Sequence, residues 1–281
     1  QNVMHTAYHI LVASSPELLA QGKGDCWDSG KVKTDASQWI TYQGKTLKRN
    51  ASYYWKVKID TNKGATNWSA PAFWTTGLFN EANWQGQWIG LDRAAPGDSE
   101  TQWSRLAARY LRKESALKKG VKRATVHIAG MGLYELFING QRIGNQVLAP
   151  APTDYRKTIL YNTYDVTSLL QAENAIGVTL GNGRFYTMRQ NYKPYKIPTF
   201  GYPKLRLNLI VEYADGSKET IATNTSWILT TEGPIRSNNE YDGEEYDARK
   251  ELGDWTQTGY DDKDWMQALS LIHISEPTRR T

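Results

Sequence analysis

The chain has 281 residues, a formal net charge of +5, 11 Trp, 17 Tyr, 23 Gly and one cysteine. That length holds one large domain or two modest ones. The single Cys26 excludes an internal disulfide and reads as a packed small hydrophobe, and the absence of any run of about 18 apolar residues excludes a helical membrane span. The start at Gln1 fits a processed or truncated chain, with any export signal already removed.

In chain order, AYHILVA comes first, with Tyr8, Ile10 and Val12 alternating inward. SSPELLAQG follows as a short helical or looped excursion, Ser15 serving as cap and Pro16 as the first helical position. SYYWKVKID alternates strictly, placing Tyr53, Trp55, Val57 and Ile59 on one face and Tyr54, Lys56, Lys58 and Asp60 on the other. Asn62-Lys63-Gly64 turns the chain, and WSAPAFWTTG supplies a last strand ending at Gly77. Residues 1–77 therefore read as a small β-sandwich. YYWKVK and WSAPAFWTTG resemble a fibronectin type III module, which implies a spacer. Residues 78–102, rich in Asn, Gly, Pro and acid, read as a linker pinned by Trp84 and Trp88, with Trp103 just beyond it.

A second unit is expected over residues 103–269. Its basic cluster of Arg109, Arg112, Lys113, Lys118, Lys119, Lys122 and Arg123 holds no interleaved aromatics for stacking bases, so it reads as a solvated sheet edge and not a nucleic-acid site. Ala124, Val126 and Ile128 alternate with Thr125 and His127 up to the breaker Gly130-Met131-Gly132. LYELFINGQRIG follows, with Tyr134, Leu136 and Ile138 on one face and Asn139-Gly140 suited to a type I′ hairpin turn. DVTSLL reads as a helical turn capped by Thr167. Ile176, Val178 and Leu180 alternate again, as do Leu205, Leu207, Leu209, Val211 and Tyr213 before the turn at Asp215-Gly216. Eight or more antiparallel strands make this a jelly-roll sandwich of the galactose-binding type, and the fold class is all-β. Residues 270–281, within LSLIHISEPTRRT, break the pattern, resemble translated adapter sequence, and are set outside the fold.

Four words in order, VHIAGMGLYELFINGQRIG, LAPAPTDYRKTILYNTYDVTSLL, NAIGVTLGNGRFY and YDGEEYDAR, resemble the N-terminal sandwich region of bacterial α-L-rhamnosidases, from about Trp84 to Ala268. The resemblance implies an inverting glycoside hydrolase that removes terminal L-rhamnose, with its acid and base on an (α/α)6 barrel that this chain does not contain. It also implies a bacterial periplasmic or secreted setting. Inversion needs two carboxylates about 6.5–9.5 Å apart. Asp242, Glu244, Glu245 and Asp247, or Asp261, Asp262 and Asp264, could superficially supply them, but none matches the family's catalytic positions, so no catalytic residue is assigned. The expected partners are an L-rhamnose-containing carbohydrate and the missing barrel.

Sugar binding is the better-founded chemistry, because such sites combine a stacking ring with hydrogen-bonding side chains. The long loop from Asn182 to Tyr202 and the acidic stretch after Asn238 supply candidates: Asn182, Arg184, Phe185, Tyr186, Arg189, Tyr192, Tyr195, Asn239 and Glu240. The competing reading packs those aromatics against the barrel. Some jelly-rolls of the family bind rhamnose through calcium, and Asp154, Asn238 and Asp242 are the candidate donors here, with no other cofactor expected. In YDGEEYDAR an ion pair from Glu244 or Asp247 to Arg249 competes with ligand contact. The alternative function is a free-standing carbohydrate-binding module or adhesin. A sandwich from another glycosidase would lack the DYRKTILYNTYDVTSLL and YDGEEYDAR words.

Overall fold

The computed structural model describes residues 2–92, 106–187 and 200–268. The chain forms two compact units, Gln1–Asn83 and Trp84–Thr281. No helix among the described residues is long and apolar enough to cross a membrane.

Unit 1 is built on β1 (His5–Ala13) and one short helix, α1 (Pro16–Ala20). The remaining strands are β2 (Trp27–Asp28), β3 (Val32–Lys33), β4 (Ser52–Thr61), β5 (Gly64–Ala65) and β6 (Ala72–Thr75). All six strands join one antiparallel sheet, with β1 and β4 at its centre. Tyr8, Ile10 and Val12 lie opposite Ile59, Val57 and Trp55, so the two alternating runs share a face as their period requires. Ser15 Oγ accepts from the Leu18 amide at 3.3 Å and Pro16 opens the helix. Leu19 packs with Leu11 and Ala13 on the opposite face of the sheet.

Unit 2 begins with β7 (Ile89–Gly90), inside the stretch expected as a connector, and β7 pairs with a long strand further on. Then come β8 (Arg109–Ala116), β9 (Val121–Met131), β10 (Leu133–Ile138), β11 (Gln141–Ile143), β12 (Tyr161–Asp165) and β13 (Glu173–Gly181). The set ends with β14 (Lys204–Tyr213), β15 (Lys218–Ala222), β16 (Ile228–Thr230), β17 (Ile235–Asn239), β18 (Gly243–Tyr246) and β19 (Met266–Gln267). One sheet runs β11-β10-β13-β8-β16-β19 and the other β12-β9-β14-β15 with β7 on β14, while β17 and β18 form a separate hairpin. The expected inward residues meet in one core: Leu136, Ile138, Ile176, Val178 and Leu180 from the first sheet, Val126, Ile128, Leu205, Leu207, Leu209 and Val211 from the second. The β10–β11 turn has Asn139 and Gly140 at φ 50° and 80°, the two left-handed residues a type I′ turn requires.

Three sequence expectations change here. Arg109 and Arg112 are fully buried, because β8 is an interior strand between β13 and β16 and not a solvated edge. His127 is also fully buried, since both faces of β9 are covered. Thr167 does not cap its turn; it is the first residue of a 3-10 turn and donates through its amide to Asp165 Oδ1 at 2.9 Å.

Candidate functional site

The end of β13 and the turn between β17 and β18 form one polar cluster. Asn182 leaves β13 and is nearly fully buried. Its side-chain amide donates to the carbonyls of Leu106 and Asn238, each at 2.8 Å, and its backbone amide donates to Asn238 Oδ1 at 2.6 Å. The amides of Phe185 and Tyr186 both donate to the Asn182 carbonyl at 3.2 Å, which makes the tight turn that presents Arg184. Phe200 donates back to the Phe185 carbonyl at 3.0 Å and closes the base of the loop. Residues 188–199 are outside the described set, and with them the candidates Arg189, Tyr192 and Tyr195.

Arg184 and Glu240 face each other at 3.4 Å, both side chains roughly two-fifths exposed. Tyr155 sits in the same neighbourhood. Burial pushes its phenol pKa up, the Glu240 charge adds to that, and the Arg184 charge opposes it. Among the described residues, three buried polar atoms of this cluster have no hydrogen-bond partner: Asn182 Oδ1, Asn238 Nδ2 and the Tyr155 hydroxyl. Buried polar groups are normally paired, so three such atoms in one place mark it out. Tyr155 was not a sequence candidate, although it stands inside the quoted TDYRKT word beside Asp154.

The described aromatics of the loop, Phe185, Tyr186, Phe200 and Tyr202, pack against one another and their neighbours. Phe185 is buried between Tyr155 (5.2 Å, edge-on) and Phe200 (5.9 Å, stacked). Tyr186 is buried against Tyr202 (5.8 Å, stacked) and Leu106. Neither Phe185 nor Tyr186 offers an open face to a sugar, which corrects their place among the stacking candidates. Asn239 is also internally committed: its Oδ1 accepts from the amides of Tyr241 and Asp242 at 2.8 Å, and its Nδ2 donates to Asp242 Oδ2 at 3.0 Å. That is an Asx-type turn and sets the β17–β18 connection.

The proposed calcium donors are each engaged with protein partners. Asp154 is held by Arg156 Nε at 3.0 Å, with Lys157 at 3.8 Å, and these contacts keep its carboxyl below the usual carboxylate range. Asn238 spends its carbonyl oxygen on the Asn182 amide, and Asp242 is tied to Asn239. Among the described residues no group of three His, Cys, Asp or Glu side chains is placed to hold a metal. These residues do not fit calcium's need for six to eight oxygens.

Other flagged acids are engaged as well. Asp247 binds Arg249 through both oxygens at 2.8 Å, which with the Arg249 amide brings its pKa down to about 2. Asp262 pairs with Arg112, Asp261 with Lys263, and Glu245 accepts from Ser237. The ion-pair reading of YDGEEYDAR thus holds for Asp247; Glu244 instead lies opposite Asn238 across the hairpin. What remains open is a guanidinium–carboxylate pair at the mouth of a polar cluster, suited to recognising neighbouring hydroxyls.

Two family models match the chain: α-L-rhamnosidase N-terminal domain over residues 119–278, and a Rha78A-like N-terminal immunoglobulin domain over residues 1–80. An α-L-rhamnosidase of Formosa agariphila is 40% identical over 280 residues, covering 92% of this chain and 29% of that protein. The structure of a Dictyoglumus thermophilum α-L-rhamnosidase superposes with TM-score 0.85 at 40% identity, covering 99% of this chain and 31% of the other. That of a Streptomyces avermitilis α-L-rhamnosidase, complexed with L-rhamnose, gives 0.84 at 25% identity, with 94% and 41% covered. The chain thus spans about a third of the length of these relatives.

Proposed function

The chain belongs to the α-L-rhamnosidase N-terminal domain family, and on that basis we propose that it is the N-terminal accessory portion of an enzyme that hydrolyses terminal α-L-rhamnosides with inversion. The hydrolytic machinery lies in polypeptide outside these residues, and this portion orients that domain and contributes a weak rhamnose subsite. Support for the division of labour comes from the acids themselves. Four of the seven carboxylates that sequence spacing offers for an inverting pair, Asp262, Asp247, Asp261 and Glu245, are instead tied to Arg112, Arg249, Lys263 and Ser237. The purified 281-residue chain is therefore expected to release no rhamnose from an aryl α-L-rhamnoside, while the polypeptide from its full natural reading frame does. Release by the 281-residue chain above a heat-inactivated control would end this reading.

The observation that carries the subsite is the half-exposed Arg184–Glu240 pair beside buried polar atoms without partners. Arg184 donates to sugar oxygens and Glu240 accepts from sugar hydroxyls, a pairing that neighbouring hydroxyls of a pyranose satisfy together. With few atoms in a monosaccharide, the expected affinity is about millimolar, about −4 kcal/mol. In an NMR titration with L-rhamnose, Arg184→Ala and Glu240→Gln are each expected to weaken binding about five-fold, as loss of about 1 kcal/mol of hydrogen bonding implies. A chelator is expected to leave the titration unchanged, because Asp154, Asn238 and Asp242 are committed elsewhere. No shift on titration would leave a docking role alone; loss of binding with chelator would restore the calcium route.

A further inference from the structure

Unit 1 contains a hollow of about 690 Å³, and small-molecule sites run from about 300 to 1,000 Å³. Its floor is the face of the sheet away from α1. Val12 stands opposite both Trp27 of β2 and Trp55 of β4, so one row of side chains crosses three strands on this face. Tyr8, Ile10, Val57 and Ile59 extend the floor, and β6 adds Trp74, stacked on Tyr53 at 5.6 Å. The opposite wall is the strandless segment over residues 36–47, led by Trp39, Ile40 and Tyr42. Its ends are fastened. At one, the Thr34 amide donates to the Thr6 carbonyl at 3.1 Å. At the other, the Lys45 amide donates to the Cys26 carbonyl at 2.9 Å and the Tyr42 hydroxyl donates to the Lys45 carbonyl at 2.8 Å. Gly44 permits this closure, since an added Cβ would lie 2.5 Å from Trp27 Cβ. Trp27 and Tyr42 then meet edge-on at 5.4 Å, floor against wall.

The hollow is walled on both sides by this chain and still not filled. Protein interiors contain few voids larger than a water molecule. In unit 2 the same alternation puts Leu205, Leu207, Leu209 and Val211 at 0% exposure, whereas Tyr8, Ile10, Trp55, Val57 and Ile59 here are only half-buried. We propose that the hollow is a binding site for a small uncharged aromatic molecule. Its lining selects that class. Six aromatic side chains, Tyr8, Trp27, Trp39, Tyr42, Trp55 and Trp74, face one space, and offset or edge-on contacts between rings add to what buried area alone gives. No Asp, Glu, Lys or Arg lines the hollow, so a charged ligand would be buried there without a partner. Beside the phenols, the hydrogen-bonding side chains are His5, Ser37 and Gln38, and the Tyr42 hydroxyl is already committed. That is too few for the hydroxyls of a sugar, which would leave water without replacement bonds. Trp39 supplies the closing group. It is 96% exposed at a left-handed φ of 59°, a large apolar side chain held in water on a strained backbone. A ring seated in the hollow gives it the apolar cover it lacks.

The test titrates the isotope-labelled 281-residue chain with β-naphthol and follows the tryptophan indole N–H signals by NMR. Saturable binding with a dissociation constant of about 0.1 mM is expected. The signals of Trp27, Trp39, Trp55 and Trp74 are expected to move, and that of Trp68, which packs on the other face of the sheet, to stay. Trp39→Ala removes a side chain the fold does not bury and is expected to weaken binding about five-fold, as loss of one ring contact implies. Val57→Trp fills the floor with an apolar ring and is expected to abolish binding, with an unchanged Trp68 signal showing that unit 1 keeps its fold. L-Rhamnose is expected to leave all four indoles unmoved, whatever it does at Arg184 and Glu240, so this inference and the functional reading fail separately. The proposal is overturned by the absence of a saturable shift, by equal shifts at Trp68, or by either variant binding as tightly as the parent. It is overturned equally by rhamnose moving the same indoles, or by indole shifts that track protein concentration before ligand is added, which would make the hollow a contact between copies of the chain.

Discussion

Arg112→Ala is expected to lower the unfolding free energy by about 3 kcal/mol, read by urea denaturation of the 281-residue chain. The guanidinium is 1% exposed in the middle of β8. It donates to Asp262, to Glu114 at 2.5 Å, and to the carbonyls of Trp255 and Gln257 at 3.0 and 2.9 Å, and it lies 5.4 Å from the Tyr260 ring. One side chain thus fastens residues 255–262 to the sheet, and the Gly259 amide adds a bond to Glu114 at 2.9 Å. Truncation leaves two carboxylates without their cation and two carbonyls without a donor. Breaking one partner of a buried pair costs about 3–5 kcal/mol. The low end applies because Glu114 and Asp262 keep partial contact with water, at 40% and 31% exposure.

The conservative replacement sharpens the test. Arg112→Lys keeps the charge but loses the planar fork that reaches four acceptors, so it is expected to recover less than half of the loss. Arg112→Met combined with Glu114→Gln and Asp262→Asn removes all three charges and is expected to recover most of it. A single Arg112→Ala variant as stable as the parent would show that residues 255–262 are held without the guanidinium, by Trp255 and Trp265 packing and the Gly259–Glu114 bond.

This residue also shows where sequence reading stops. Period-two alternation is a local property of a strand with one face on a core, so Leu205 to Tyr213 and Tyr134 to Ile138 declared their buried faces directly. The Asn139-Gly140 turn was equally local, because only residues tolerant of positive φ fit there. Gly132 had a similar signature: at φ 129° an added Cβ would sit 2.3 Å from the Gly181 carbonyl, so the break between β9 and β10 admits only glycine. Arg112 has no local mark, since its partners lie up to 150 residues away and a basic run looks the same in sequence whether solvated or buried.

The candidate site divides in the same way. The loop after Asn182 was visible from its length and polarity, but Arg184 meets Glu240 across 56 residues, a juxtaposition set by which strands share an edge. Phe185 and Tyr186 look like stacking platforms in sequence; Tyr155, Phe200 and Tyr202 take their faces. In unit 1 the alternation was readable and the pairing of β1 with β4 followed from it.

His127 makes folding stability depend on pH in a window that the carboxylates leave clear. It is fully buried on β9, its Nδ1 3.0 Å from the Thr163 hydroxyl and its ring 5.9 Å from that of Tyr161. Trp84 meets Tyr161 edge-on at 5.4 Å, and Arg206 from β14 lies over Trp84 and Trp88. Burial, with the Arg123 charge adding to it, pushes the imidazole pKa down to about 4 from 6.5. Between those values the unfolded chain binds a proton that the folded chain refuses, so stability falls as pH drops from about 6.5 to about 4 and changes no further through this group below that. The gap corresponds to on the order of 3 kcal/mol. The aspartates and glutamates whose pKa values are lowered start from 3.8 and 4.5, so their losses begin only at the acid end of the window. Urea denaturation at intervals from pH 7.5 to 4.5, a range in which stability should track this group, is expected to show a declining free energy for the parent chain. His127→Gln, which keeps a polar group opposite Thr163 but cannot titrate, is expected to flatten that decline. An equal decline in both would place the proton uptake elsewhere and leave His127 a neutral packing residue at every pH tested.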